Sequence, residues 1–287
     1  MTVYALTCLA GAPGVTTTAL AWAALSPRPT LIVEADVTGG SPILAGAFEG
    51  TWMHRGGVLA LASAEEADWV ETIWQQAVTL PGRSDRWVLP TIGRGHQARA
   101  MASIWRPLAA TLTRISRDTG VDILIDAGRL GVAGGPWDLI TGADAVLLLT
   151  DSTIPALTTL SVALPSLRAD LDQSGSHHRL GVVPLTGPSQ LWRSLLPGLA
   201  GIFSRHAEPD IRPYSRAEIA ATVSPTATIA TLPHAPRAAA TYAHAMTPCD
   251  TRAYDAAISQ LIVSAQQHAS AYRQLMHPTS TSEEASQ

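Results

Sequence analysis

No lysine and no asparagine occurs among the 287 residues, so all nineteen basic side chains are arginines. Chemistry that needs a lysine ammonium, at a phosphate, in a Schiff base or as a general base, is therefore closed to this chain. Cysteine is nearly absent: Cys8 and Cys249 are the only two, which excludes a disulfide framework. A reducing cytoplasm suits that usage and is the expected location. No apolar run approaches the roughly 18 residues needed to span a bilayer, so no direct membrane insertion is expected. Residues 1–9 lack a basic n-region and a cleavage site, so no secretory leader is expected either. A net charge of -4 argues against holding a nucleic-acid backbone by bulk charge, and DNA binding is expected to be weak or absent. What is present, 46% hydrophobic and 15% charged residues, is enough for a sizeable buried core.

The apolar residues are distributed in short continuous runs at 3–9, 30–33, 87–89, 122–125, 145–149, 180–183 and 228–232. Continuous rather than alternating runs belong to strands covered on both faces, and the spacers are long enough for crossover helices. The expected architecture is α/β, a mainly parallel sheet of about seven strands with helices on both faces. Helices are expected at 16–25, 66–77, 97–117, 156–171, 189–206 and 252–275, with turn-forming loops at 80–85 and 172–178. No linker or repeat divides the chain, so residues 1–276 are read as one domain and residues 277–287 as a disordered polar, acidic tail.

After the first strand comes GAPGVTTT, residues 11–18, a glycine-rich stretch that opens a helix. Free backbone N–H groups and the helix dipole suit that position to an anion such as phosphate. The usual phosphate-loop pattern is G-x-x-x-x-G-K-[ST]. Taking Gly14 as its second glycine puts Leu9 at the first glycine and Val15 at the lysine, so only Gly14 and the Thr16 hydroxyl survive. From these residues alone the stretch is equally a plain strand-to-helix turn.

Five further segments join it in order: LIVEADVTGG at 31–40, DILIDAGRLG at 122–131, ADAVLLLT at 143–150, and PYSRAEI at 213–219 ahead of LPHAPRAAA at 232–240. Together they resemble the MinD/ParA-like partitioning and positioning ATPases, whose loop is typically K-G-G-x-G-K-[ST]-[ST]. The resemblance spans most of the chain, with 41–117 only loosely covered. It implies a P-loop NTPase fold and a site for ATP or ADP with magnesium at Gly11, Ala12, Pro13, Gly14, Val15, Thr16 and Thr17, with Arg129 near the phosphates. Thr16 and Asp126 would hold the magnesium. Asp36 matches the acidic residue that helps position attacking water, with Glu34 where the family has a partner aspartate.

The departures are as informative as the matches. Ala12 replaces a glycine, Ala10 the signature lysine and Val15 the phosphate lysine. Only an arginine such as Arg129, Arg94 or Arg99 could supply the missing charge, and losing such contacts typically costs several kcal/mol in the transition state of phosphoryl transfer. The resemblance thus implies a degenerate site with weak or no hydrolysis, Asp36 being a vestige, or no nucleotide at all. Relatives of this kind form homodimers and act through protein partners, in placing a secretion or pilus apparatus or in partitioning. The alternative is a slow ATPase of chromosome or plasmid partitioning that binds ATP and dimerises. An unrelated dinucleotide enzyme is disfavoured by the lack of G-x-G-x-x-G.

Plainer readings stand beside these: Asp126 as a strand-end cap, Asp36 in an Asx turn, Cys8 as a small core residue, and the pair His177 and His178 in a solvated turn. Trp69 and Trp74, beside Glu65, Glu66, Asp68 and Glu71, are candidates for a protein-binding face. Arg193, Arg205, Arg212 and Arg216 are candidates for a DNA face, but acidic residues are interspersed with them.

Overall fold

A computed structural model of the chain describes residues 1–10, 14–50, 56–173, 175, 177–186, 214–244 and 249–276. In chain order it runs β1 (Val3–Cys8), α1 (Val15–Leu25), β2 (Thr30–Glu34), α2 (Pro42–Gly46), α3 (Trp69–Gln76), β3 (Val78–Thr79), β4 (Arg86–Leu89), α4 (Ala98–Met101), α5 (Trp105–Thr119) and β5 (Asp122–Arg129). It continues with α6 (Trp137–Gly142), β6 (Ala145–Asp151), α7 (Ile154–Gln173), β7 (Leu180–Thr186), α8 (Arg216–Val223), β8 (Ala227–Thr228), β9 (Leu232–Pro233), α9 (Pro236–Ala243) and α10 (Arg252–Met276).

The strands form one sheet in the order β3-β4-β2-β5-β1-β6-β7-β8, with β9 also paired to β7. Every pairing is parallel except that of β3 with β4. Both faces are covered, as the continuous apolar runs require. On β1, Val3 and Ala5 enter one core, with α5 and α7, while Tyr4, Leu6 and Cys8 enter the other, with α1 and α10. The period-two alternation is present, but both phases are apolar.

Helix α1 is buried almost all round because α9 and α10 cover its outer side. Trp22, 1% exposed, packs on Tyr4 with ring centroids 4.9 Å apart. The buried Arg86 donates to the carbonyls of Ala23 and Ser26, closing the C-terminal end of α1, and pairs with Asp85 at 2.7 Å. Guanidinium donors here meet carbonyls that no helical N–H can reach.

The sheet has nine strands among the described residues rather than about seven. The expected 228–232 run is two short strands, β8 and β9, and β3 is an antiparallel edge strand that no apolar run announced. The expected helix at 97–117 breaks between α4 and α5. Pro107 has no N–H for the Ser103 carbonyl, so a continuous helix cannot cross that point and a new one starts with proline in its first turn. The expected helix at 189–206 and the tail at 277–287 lie outside the described residues. So do Arg193, Arg205 and Arg212.

Candidate functional site

Strands β2, β5 and β1 are neighbours at the middle of the sheet, and their C-terminal ends carry Glu34, Asp126 and Cys8. In parallel α/β sheets this end is where ligands bind. The chain leaves β1 and enters α1 through Gly14, whose φ of 78° is left-handed and suited to glycine. The Gly14 carbonyl accepts the first helical bond from Thr18 N–H at 2.8 Å, and no side chain caps the helix. The first-turn N–H groups thus have no side-chain acceptor, as an anion site requires. Gly11, Ala12 and Pro13 lie outside the described residues.

Thr16 and Asp126, expected as a pair, are brought near each other, close enough for the Thr16 hydroxyl to favour the charged form of the Asp126 carboxylate. Asp126 is 2% exposed and also accepts from Gly128 N–H at 3.1 Å. Burial pushes its carboxyl up to about 6; these two donors oppose the shift and the charge of Asp36 adds to it. A hydroxyl and a carboxylate are hard oxygen donors of the kind magnesium takes together with water and substrate phosphates. Among the described residues no group of three His, Cys, Asp or Glu side chains is placed to hold a metal, so phosphate and water would have to complete the shell.

Asp36 is half-buried just beyond β2. Its carboxylate accepts from Thr38 N–H at 2.9 Å, so the Asx turn does form. Gly128 approaches the same carboxyl so closely that a Cβ there would run into it, and its φ of 58° again suits glycine. Asp36 and Asp126 therefore sit on one wall without touching a common hydrogen-bond donor.

Glu34 matters more than its sequence suggested. It is 1% exposed and accepts from the Ser41 hydroxyl and from the backbone N–H groups of Ile43 and Thr91, both at 3.3 Å. Burial raises its carboxyl to about 7, with Asp126 adding to the rise and the donors opposing it. The Thr91 hydroxyl donates to the Asp36 carbonyl at 2.7 Å, and Gly40 N–H to the Ile92 carbonyl at 3.0 Å. The segments after β2 and β4 are thus tied together beneath the site. The clue available in sequence was an acidic residue ending an apolar run.

Val15, at the lysine position, is 6% exposed and belongs to the apolar cluster of Leu6, Cys8 and Leu20. Thr17 is only partly buried. Arg129 is exposed at the end of β5, in register with Cys8, and makes no ion pair among the described residues. The Cys8 thiol is pushed up to about 11 by burial and by Asp126, which marks it as an inert core residue. Trp69 and Trp74 do not form a docking face. Trp69 is buried and donates to the Ala64 carbonyl at 3.3 Å, and Trp74 packs edge-on against Trp87 at 5.2 Å.

A parallel sheet whose central strand passes through a glycine turn into a buried helix, with carboxylates ending the adjacent strands, defines an α/β fold of the P-loop type. Solved structures narrow it to the MinD/ParA fold. The chain is similar over 94% of its length to 98% of the septum site-determining protein MinD complexed with Mg-ADP from Pyrococcus horikoshii, at 14% identity and a TM-score of 0.62. It matches a chain of the MinC:MinD cell division protein complex of Aquifex aeolicus at 14% identity and a TM-score of 0.58, over 96% of each chain. It matches a ParA family ATPase from Chlorobium tepidum at 12% identity and a TM-score of 0.59, over 93% of this chain and 97% of that one. At such identities the likeness is one of fold. No protein-family model matches the chain, and no curated protein matches it in sequence.

Proposed function

We propose that the chain is a MinD/ParA-like positioning or assembly factor with a degenerate nucleotide site, acting through protein partners in secretion or pilus placement or in partitioning. The observation that carries this reading is the Thr16 and Asp126 pair beneath the Gly14 turn, beside a lysine position filled by the buried Val15. The N–H groups of Gly11, Ala12, Gly14, Val15, Thr16 and Thr17 and the threonine hydroxyls would wrap the phosphates, with Pro13, which has no N–H, shaping the same loop, and Thr16 and Asp126 would hold magnesium. Magnesium, when bound, supplies the positive charge that draws phosphate oxygens to the site. Asp36 is a vestige of a water-positioning residue, and Arg129, exposed at the end of β5, is a guanidinium available to a phosphate. Without a lysine, hydrolysis is weak or absent. The Mg-ADP bound by the Pyrococcus MinD supports the choice of ligand, and the MinC:MinD complex supports action through a partner; a homodimer as the working form is part of the same proposal.

Residues 1–276 act as one unit followed by a tail, in the cytoplasm, with little or no DNA binding. No helix among the described residues is long and apolar enough to cross a membrane. Arg129, exposed and without an ion pair among the described residues, favours one second reading, a slow arginine-assisted ATPase of partitioning.

Calorimetric titration of the whole protein with ATP and ADP, with magnesium and with EDTA, tests the proposal alongside a phosphate-release assay. Binding in the micromolar range that needs magnesium, is lost in Thr16→Ala and Asp126→Asn, and proceeds without phosphate release is the expected result. Steady release by the wild type, abolished in Arg129→Ala, would establish the second reading instead. Absence of any binding would overturn both.

A further inference from the structure

Residues 86–117 hold six arginines and no carboxylate, in a chain whose net charge is -4. Arg86 is internal, but Arg94, Arg99, Arg106, Arg114 and Arg117 are all exposed. None of these five makes an ion pair among the described residues. Three lie on α5. At about 100° per residue, Arg106, Ala110, Thr113, Arg114 and Arg117 fall within an arc of about 100°, opposite the buried Leu108, Leu112 and Ile115. Arg106 and Arg117 are about 16 Å apart along the axis. The exposed residues between the arginines, Ala110 and Thr113, are small, so nothing bulky stands between a ligand and the guanidinium groups.

We infer that this face of α4 and α5 is a docking surface for an acidic segment of a partner protein. This rests on the reading that the chain acts through partners, and it names the chemistry of the partner. Arginine guanidinium groups pair with carboxylates in two-pronged fashion, and three on one arc of α5, with Arg94 and Arg99 on the segment leading into it and none of the five ion-paired among the described residues, call for a matching row of acids. The borders of the face select a narrow ligand. Helix α3 and the turn before it, with Glu66 on the rim of the groove that Arg114 lines, flank α5 on one side. Helix α6, with Asp138, flanks it on the other, and Asp118 closes its end. A single extended acidic segment laid along α5 meets Arg106, Arg114 and Arg117 in turn, with Glu66 and Asp118 at the borders of its path. A nucleic-acid duplex is wider than this strip and would set its second strand over those carboxylates. The face also begins at the nucleotide site, because the segment carrying Arg94 is tied to the segment of Asp36 through Gly40 N–H and the Thr91 hydroxyl.

The test uses the full-length protein and fluorescence anisotropy with three labelled probes: a dodecapeptide of alternating Glu and Ala, a duplex DNA of about 30 base pairs, and a Gln-for-Glu peptide control. Wild-type protein should bind the acidic peptide, ignore the control, and lose affinity as salt rises. The double variant Arg106→Glu, Arg114→Glu should bind it at least about tenfold more weakly, since it removes two charge pairs and adds repulsion. Arg237→Glu, exposed on α9, should bind as wild type does. Matching thermal melts and matching Mg-ATP titrations of the variants show that folding and the nucleotide site are intact. Failure of the peptide to bind, equal binding by the double variant, or tighter binding of the duplex would each overturn the inference. A protein that binds no nucleotide yet holds the peptide through Arg106 and Arg114 would overturn the nucleotide reading alone.

Discussion

Raising the pH from about 5 to about 8 should destabilise the protein, and Glu34 should account for a definable share of the loss. The side chain is 1% exposed at the end of β2, and burial lifts its carboxyl from the ordinary 4.5 to about 7. A raised acid binds its proton more tightly in the folded state than in the unfolded one. Below the unfolded value both states are protonated and no penalty exists; as pH rises through the folded value the penalty becomes complete. The gap corresponds to about 3 kcal/mol at full ionisation, of which about 2 kcal/mol should appear between pH 5 and pH 7. Asp126, lifted to about 6 mainly by burial, adds its own loss at lower pH, so the wild-type curve alone does not isolate Glu34. Urea unfolding of the wild type and of Glu34→Gln at pH 5, 6, 7 and 8 does isolate it. The variant should start less stable at pH 5, because an amide cannot accept equally from Ser41, Ile43 and Thr91, and should then show a shallower fall. A wild type whose stability stays flat or rises over this window, or a variant with an unchanged slope, would refute the argument.

Arg86→Met should cost about 2–4 kcal/mol in urea unfolding, because it leaves the Ala23 and Ser26 carbonyls without their buried donors; a loss under about 1 kcal/mol would show that water replaces them. Gly128→Ala should cost about 1–2 kcal/mol for its left-handed φ, and it should also weaken Mg-ATP binding by pushing Asp36 aside. Stability lost with binding unchanged would separate Asp36 from the site.

The parts of the fold that could be read in advance are those whose signal is local. β1, β2, β5, β6 and β7 are each runs of at least four nearly uninterrupted apolar residues, and a run of that kind has few other uses. β3, β8 and β9 are two residues long and have no periodicity to detect; they exist because a neighbouring strand offers them an edge. The site divides in the same way. Thr16 and Asp126 were singled out through the resemblance to the MinD/ParA pattern, and the structure brings them near each other. Glu34 was not legible, because its role depends on Ser41, Ile43 and Thr91, donors brought from two segments by the packing of β2 beside β4. The tryptophans misled for the related reason that composition cannot say which side of a helix faces inward. Trp69 and Trp74 share a stretch with four acids, yet both turn toward the sheet, where Trp74 meets Trp87.

The electrostatics of the strand ends bear on what the site can still do. Glu34, Asp36 and Asp126 gather there, with Arg129 at the end of β5 and Arg94 on the segment tied to that of Asp36 as the nearby described cations. In a loop with its lysine, that ammonium would face the phosphates and offset the carboxylates at once. Val15 instead spends its side chain on the core, 6% exposed, so the position serves packing and leaves the acids uncompensated. The raised carboxyls of Glu34 and Asp126 have a separate cause, chiefly burial, increased by neighbouring acids. A bare nucleotide polyphosphate brought to this edge would add like charge to like charge. A magnesium complex would bring a divalent cation to Asp126 and Thr16 and present its phosphates to the N–H groups after Gly14. On the proposed reading the metal is therefore the route by which a phosphate would enter, with Thr16 and Asp126 serving that route in a chain that contains no lysine.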